Sequence, residues 1–249
     1  MSKFITVGEI GTPLTIRMQI PDRIVDAINN GDAVAAVNLA KSITSRYEPV
    51  AGKEREYFRH LNGHKFWYNF NTEDQSIREI MQDFILHGDY EPETTKIVEE
   101  IVKPGMHAID VGASIGYFTL LLARQVGADG RVFSVEPTTN QFPYLMRNIT
   151  ENGYADRVTA FNIAAAAERG PVHIQCNAMN TKDVEGYAID DLLDHPIDFI
   201  KIDTDGSDVR VLKGLRRTIE RSPNLHAVLE YYPKYLEALG ESPQEFRDI

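Results

Sequence analysis

The feature that most constrains this chain of 249 residues is a repeated alternation of short apolar strands and helices in its second half. Each apolar run is four or five residues long and is followed by a segment whose hydrophobic residues have helical spacing. Strands of this kind, joined by crossover helices, form a parallel sheet that is covered on both faces. The sequence therefore predicts a Rossmann-like, doubly wound α/β domain with a mostly parallel sheet, whose strands are at 107–111, 131–135, 158–162, 199–202 and 227–230.

The N-terminal part of the chain has a different pattern. Alternating apolar residues on either side of the break at 11–13 predict a hairpin, and two short helical patterns follow between residues 22 and 43. Because one pair of short helices cannot bury both of its faces, this segment must pack on something else. We therefore assign residues 1–60 to a small α/β appendage and residues 61–249 to the main domain.

The turn after the strand at 107–111 is the most specific segment of the sequence. Asp110 lies near the end of the strand, and Gly112, Ala113, Ser114 and Gly116 lead into a helix. Small residues let the backbone turn tightly and let a ligand approach the free N–H groups of the helix N-terminus. The spacing D-x-G-x-x-x-G differs from the G-x-G-x-x-G of dinucleotide sites, which disfavours an NAD-dependent oxidoreductase. An acid before the loop suits a ligand with an ammonium group and no phosphate, such as S-adenosylmethionine (SAM).

A second acid occupies the end of the next strand. Glu136 lies 26 residues after Asp110 (136 − 110) and is followed by Pro137. A carboxylate at the end of the second strand accepts hydrogen bonds from both hydroxyls of a ribose. The two acids within one β-α-β unit therefore predict a SAM site.

Several segments of the sequence together resemble the FkbM-type SAM-dependent methyltransferases. They are YEPE at 90–93, IDVGASIGYFT at 109–119, VEP at 135–137 with Asn148 and Asn152, DFIKIDTDGSD at 198–208, and VLKG at 211–214. The resemblance covers about residues 64 to 235. Where the family has IDVEGAE, this chain has IDTDGSD at 202–208, so the acids are shorter aspartates that keep their charge but not their reach.

The resemblance implies a sheet of the class I methyltransferase type and SAM as the cofactor. Two more strands normally follow the fifth strand in this class, and the sequence leaves no room for them before Ile249. We therefore expect these strands to be missing from the C-terminal end. Continuation of the natural chain, the N-terminal hairpin or a second subunit in a homo-oligomer would then cover the sheet edge. The candidate cofactor-binding residues are Glu93, Asp110, Gly112, Ala113, Ser114, Gly116, Glu136, Pro137, Asn162 and Ala164.

The candidate catalytic residues are Asp203 and Glu230, which end the fourth and fifth strands. Ligands bind at the carboxyl ends of the strands in open α/β sheets, so the two side chains are expected near the transferred methyl group. Two interpretations stay open. Either acid acts as a general base for the acceptor, or the two help to hold a divalent cation such as Mg²⁺ that binds the acceptor oxygens. Given the resemblance, we favour the metal-free interpretation and assign no metal ligand.

Charge limits the partners of this protein. With 26 Lys and Arg against 37 Asp and Glu, the formal net charge is −11, which disfavours binding to nucleic acid and to anionic membranes. The sequence also lacks an apolar run of about 18 residues, the length a membrane-spanning helix needs. We therefore expect a cytoplasmic protein that acts on a small-molecule or glycosidic substrate.

The reaction class follows from the loop after the fourth strand. Amino-group and nucleic-acid methyltransferases often carry an Asn/Asp-Pro-Pro-aromatic loop there, whereas residues 203–206 read DTDG. The sequence therefore favours O-methylation of a hydroxyl on a sugar, a glycoside or a small natural-product-like molecule. The alternative is a non-catalytic SAM-binding or structural module of a larger protein.

Overall fold

A computed structural model gives the fold of the chain, which divides into two compact units. The first comprises Met1–Asn71 and Ile77–Tyr90, and the second comprises Thr72–Ser76 and Glu91–Ile249. The structure describes residues 4–7, 16–19, 48–49, 56–61, 63–69, 90–177, 180–204, 206–231, 233–238 and 240–248. Among these residues, no helix is long and apolar enough to cross a membrane.

The described part of the first unit consists of strands. They are β1 (Phe4–Val7), β2 (Ile16–Gln19), β3 (Glu48–Pro49), β4 (Glu56–Leu61) and β5 (His64–Asn69). The antiparallel pairing of β1 with β2 confirms the predicted hairpin, and β3, β4 and β5 form a second antiparallel sheet. The helical patterns between residues 22 and 43 lie outside the described residues. The predicted boundary after residue 60 falls within β4, and the assignment of residues 1–60 as an appendage stays a prediction.

The second unit alternates strands and helices. Its elements are α1 (Pro92–Ile101), β6 (His107–Val111), α2 (Tyr117–Val126), β7 (Arg131–Val135), α3 (Phe142–Glu151), β8 (Val158–Phe161), β9 (Ala164–Ala165), β10 (Gly170–Asn177), β11 (Asn180–Tyr187), a 3-10 turn (Ile189–Asp191), β12 (Phe199–Ile202), α4 (Asp208–Lys213), α5 (Arg216–Glu220), β13 (His226–Leu229), α6 (Pro233–Ala238) and α7 (Pro243–Asp248).

The central sheet of this unit has the strand order β13-β12-β6-β7-β8, and every neighbouring pair is parallel. The chain runs outward from β6 to β8 and then crosses back to β12 and β13, so the winding direction reverses between β6 and β12. The predicted doubly wound α/β fold is therefore confirmed. The predicted strands differ only at their ends, since β8 stops one residue earlier and β13 is shifted back by one residue.

Burial explains why these segments adopt these structures. All four residues of β12 are buried, as expected for a strand with helices on both faces. In α2, eight of ten residues are buried, so this helix is enclosed rather than amphipathic. A smaller sheet of β10, β11 and β9 follows the third strand of the central sheet. Within the described residues β13 is an edge strand of the central sheet. The predicted absence of two further strands, and what covers this edge, stay predictions.

Candidate functional site

The carboxyl ends of the central strands form one row. Their last residues are register partners, with Val135 beside Val111, Val111 beside Ile202, and Ile202 beside Leu229. The residues that follow therefore lie in the spatial order Glu230, Asp203, Gly112, Glu136. Because neighbouring strands are about 4.8 Å apart, Asp203 and Glu136 are separated by about 10 Å across Gly112. The structure thus brings together four of the residues predicted from the sequence.

Gly112 packs directly against the neighbouring strand end. Its φ is 82°, and a Cβ atom built on it would lie 1.8 Å from the backbone oxygen of Asp203. The sequence indicates that position 112 is glycine so that a ligand can approach the backbone. The structure shows a second reason for a glycine at this position. A side chain at this position would displace the backbone that carries Asp203.

Glu136 anchors the loop that follows Gly112. The backbone N–H of Ser114, a residue with a φ of 50°, donates to Oε2 of Glu136 over 2.8 Å. The backbone N–H and the hydroxyl of Thr138 donate to Oε1 over 2.7 and 2.5 Å. Burial raises the pKa of the Glu136 carboxyl, and these hydrogen bonds oppose that rise. Glu136, the residue predicted to bind the ribose, therefore also fixes the loop that contains Ser114.

Asp110 is held from within the sheet, with only 1% of its surface exposed. Its Oδ2 accepts the hydroxyl of Thr119 over 2.6 Å, and that hydroxyl lies 2.9 Å from the hydroxyl of Ser134. Because Thr119 has one proton to donate, Ser134 must donate to Thr119. Burial raises the pKa of Asp110, against the charge of Lys201 and the hydrogen bond from Thr119. Contact between Asp110 and SAM stays a prediction.

Lys201 is a charged member of the site that sequence reasoning missed. It is 3% exposed, its Nζ donates to Oδ2 of Asp203 over 2.7 Å, and Nζ lies 4.4 Å from the centre of the Phe118 ring. Burial lowers the pKa of Lys201, but the carboxylates of Asp203, Asp110 and Glu91 outweigh burial and raise it. The available signal was a lysine inside a four-residue apolar strand, because a buried charge requires a partner.

The other candidates of the loop serve its backbone geometry. The N–H groups of Gly112 and Ala113 both donate to the carbonyl of Val135 over 3.0 Å. The N–H of Gly116 donates to the carbonyl of Ala113 over 2.8 Å, and a Cβ on Gly116 would lie 2.7 Å from Cδ1 of Leu145. The loop is therefore tied to β7 on one side and packed against α3 on the other.

The remaining candidates occupy different surroundings. The exposed Asn162 donates its amide to the carbonyl of Glu136 over 2.8 Å, and Ala164 is buried in β9, where it pairs with Gly186. Pro137 is half-buried, and Glu93 is exposed on the first turn of α1. Of the segment at 90–93, the acid whose charge acts on Lys201 is Glu91, which precedes α1. The cofactor contacts of these candidates stay predictions.

The surroundings of Asp203 bear on the metal interpretation. Within the part of the chain that the structure describes, which omits Asp205, no group of three or more His, Cys, Asp or Glu residues could hold a metal ion. The ammonium of Lys201 bonds one carboxylate oxygen of Asp203. A divalent cation at that oxygen would have to displace it. Lys201 would therefore compete with a metal ion for this oxygen of Asp203.

The fold, the Gly112–Gly116 turn and the strand-end acids define a Rossmann-like domain of the class I methyltransferase type. The model of the methyltransferase FkbM domain family matches residues 110–249, which is more than half of the chain. This chain therefore belongs to the FkbM family of SAM-dependent methyltransferases, as its resemblance predicted.

Individual relatives are more distant. A protein-L-isoaspartate O-methyltransferase from Triticum aestivum is 39% identical over 57 residues, which are 23% of this chain and 23% of the relative. The crystal structure of the FkbM methyltransferase from Methylobacillus flagellatus is 19% identical, with a TM-score of 0.44 over 88% of this chain and 52% of that chain. An O-methyltransferase from Bacillus cereus in complex with SAH is 22% identical, with a TM-score of 0.38 over 60% of this chain and 62% of that chain. The chain thus spans about a quarter of the curated relative and 52% to 62% of these two structures.

Proposed function

We propose that this chain transfers the methyl group of SAM to a hydroxyl oxygen of a sugar, a glycoside or a small natural-product-like molecule. The observation that carries the proposal is the pair of acids at neighbouring strand ends. The N–H of Glu230 donates to the carbonyl of Ile202 over 3.0 Å, so Glu230 follows β13 directly beside Asp203. Gly112 lies on the other side of Asp203. Two carboxylates next to the predicted SAM loop suit an acceptor that must lose a proton.

The reaction is an in-line displacement at the methyl carbon. The oxygen–carbon bond forms while the carbon–sulfur bond breaks, and the sulfonium becomes the neutral thioether of S-adenosylhomocysteine. The hydroxyl proton passes to the carboxylate of Asp203 or Glu230. Positioning of the two reactants contributes roughly 7–11 kcal/mol at best. A general base contributes a further factor of about 10²–10⁴.

Two further features support oxygen as the acceptor atom. The relative from Triticum aestivum is named as an O-methyltransferase. The loop after β12 contains Asp203, Thr204 and Gly206 and has no proline pair of the kind typical of amino-group methyltransferases. We propose that no metal takes part, because Lys201 already supplies a cation at Asp203.

The test is a methyl-donor assay with SAM on the full chain, read by mass spectrometry of the products. The acceptor panel comprises glycosides, hydroxylated small molecules, an isoaspartyl peptide and amines, each with and without a chelator. For an accepted hydroxyl compound, Asp203→Asn or Glu230→Gln should lower kcat by about 10²-fold or more, since one of them receives the proton. The control is Asp129→Asn, which changes an exposed acid in the turn after α2.

Other results would contradict the proposal in distinct ways. Methylation of only the amines or only the isoaspartyl peptide would show that the acceptor is not a hydroxyl compound. Full activity of the double variant Asp203→Asn/Glu230→Gln would show that neither acid receives the proton of the acceptor. Calorimetric binding of S-adenosylhomocysteine with no methylated product would favour the non-catalytic SAM-binding module. Loss of activity with chelator would support the metal-assisted interpretation.

A further inference from the structure

A row of buried polar side chains crosses the central sheet just below the strand ends. Ser134 on β7, Asp110 on β6 and Lys201 on β12 are register partners. Register partners of a pleated sheet project from the same face. All three residues are at most 3% exposed. The interior of the sheet thus carries one cation and one carboxylate side by side.

The cation of this row reaches the acceptor end of the site. Lys201 and Asp203 are two residues apart, and Nζ of Lys201 lies 2.7 Å from Oδ2 of Asp203, whose side chain is 27% exposed. By contrast, Oδ1 of Asp110 is buried without a hydrogen-bond partner among the described residues, so Lys201 does not donate to it. A lysine that served only to balance the interior charge would bond to the carboxylate directly opposite. Lys201 instead donates to the outer acid.

We propose that Lys201 is a positioning residue that acts as the resident cation of the site. It fixes one oxygen of Asp203 at the methyl-acceptor position, balances Asp110 below the cofactor loop, and occupies the place that a divalent cation would take at Asp203. The acceptor role of Asp203 rests on the proposed function, whereas the ion pair and the exclusion of a cation do not.

The charges around Lys201 define the consequence of removing it. The carboxylates of Asp203, Asp110 and Glu91 all act on its ammonium, and the Phe118 ring covers it. Without the ammonium, the inner acids lose this partner, and the oxygen of Asp203 becomes available to an added cation. Because a neighbouring ammonium repels an added cation, removing it should raise the cation affinity of Asp203 at least tenfold.

The first experiment follows the lysine ammonium groups by ¹⁵N-detected NMR on the full chain bound to S-adenosylhomocysteine. The buried Lys201 should give a signal that exchanges slowly with water and that shifts or broadens in Asp203→Asn. Lys213 is the control, because it pairs with Glu245 over 2.7 Å with its side chain 44% exposed. Its signal should be the same in both proteins. An unchanged Lys201 signal in Asp203→Asn would overturn the proposal, whatever the other variants do.

The second experiment uses Mn²⁺ as a paramagnetic probe. Lys201→Met should bind Mn²⁺ next to Asp203 at least tenfold more tightly than the unmodified protein, with Lys213→Met as the matched control. If Lys201→Met fails to fold, Lys201→Met/Asp110→Asn removes the cation and the buried anion together. Binding of Mn²⁺ at Asp203 in the unmodified protein, or equal affinities in all variants, would contradict a resident cation.

The third readout separates positioning from simple stability. With an acceptor from the panel, Lys201→Met should lower kcat at least tenfold while KM for SAM changes less than threefold. A folded variant with unchanged kcat would overturn the proposal. The NMR and Mn²⁺ results need no acceptor, so failure of the proposed O-methylation would leave them intact and remains distinguishable from failure of the ion pair.

Discussion

The central strands start at one edge of the sheet, the amino edge, and stop at the other, the carboxyl edge, and the two edges differ in what opposes the burial of charge. At the amino edge, Asp198 accepts the backbone N–H of His107 over 2.8 Å, and the rings of His107 and His195 are 5.1 Å apart. Burial lowers the pKa of His107, and the charge of His195 lowers it further. At the carboxyl edge, burial raises the pKa values of Asp110 and Glu136. Burial thus disfavours the charged form at both edges. The carboxyl edge differs because hydrogen bonds, and for Asp110 the charge of Lys201, oppose that effect on its acids, as is common at ligand sites.

Glycine substitutions on either side of β6 should give the largest difference between the edges. Gly112→Ala at the carboxyl edge places a Cβ 1.8 Å from the oxygen of Asp203, so we expect a loss of about 4 kcal/mol or more in the free energy of unfolding. Gly105→Ala at the amino edge has a similar φ of 86° with nothing within 4 Å, and should cost about 1–2 kcal/mol from backbone strain alone. Denaturant unfolding measures both, and equal losses would refute the close contact.

Removing one buried hydroxyl at each edge should give an intermediate effect. Thr119→Val takes the donor from Asp110 and should cost about 1.5–3 kcal/mol, the range for hydrogen bonds to charged groups. Ser222→Ala removes a neutral hydroxyl that accepts the N–H of Ile197 over 2.9 Å, and should cost about 1 kcal/mol.

Their pH dependence separates the two variants. In the folded protein the pKa of Asp110 is raised, and loss of the Thr119 donor raises it further. The extra cost of Thr119→Val is therefore fully present above both folded-state pKa values of Asp110. It shrinks as the pH falls through the pKa of the variant and then through the lower pKa of the unmodified protein. The cost of Ser222→Ala should be the same throughout. A Thr119→Val cost that is independent of pH would argue against an ionised Asp110.

The smallest effect is expected from the histidine at the amino edge. Because the pKa of His107 is lowered on folding, the unfolded chain binds more protons, and stability falls as the pH drops below about 6.5. His107→Gln should make this fall shallower, by less than about 1 kcal/mol since solvent screens the half-buried ring. The control His226→Gln removes an exposed imidazole at the start of β13. Identical slopes for all three proteins would show that His107 does not cause the loss of stability at low pH.

The sequence was informative where one strand or one turn decides the structure. The runs at 107–111, 131–135 and 199–202 have the predicted bounds because an apolar strand between helices needs no partner to be recognised. The row of strand ends also follows from the parallel-sheet rule. Lys201 was missed because only the fold shows that it is buried beside Asp110, its register partner on β6, which is remote in sequence. The anchoring of Ser114 by Glu136 was equally hidden, because no local pattern encodes the positive φ of Ser114.

The anchored loop also bears on how the donor and the spent donor compete. Three hydrogen bonds from Ser114 and Thr138 fix the Glu136 carboxylate. If Glu136 binds the ribose as predicted, a carboxylate fixed in this way binds SAM and S-adenosylhomocysteine alike, since the two differ only at the sulfur. Uniform binding of this kind cannot help to expel the product. Such an enzyme would be inhibited by its own product, and its sustained rate would depend on how fast the surroundings clear S-adenosylhomocysteine.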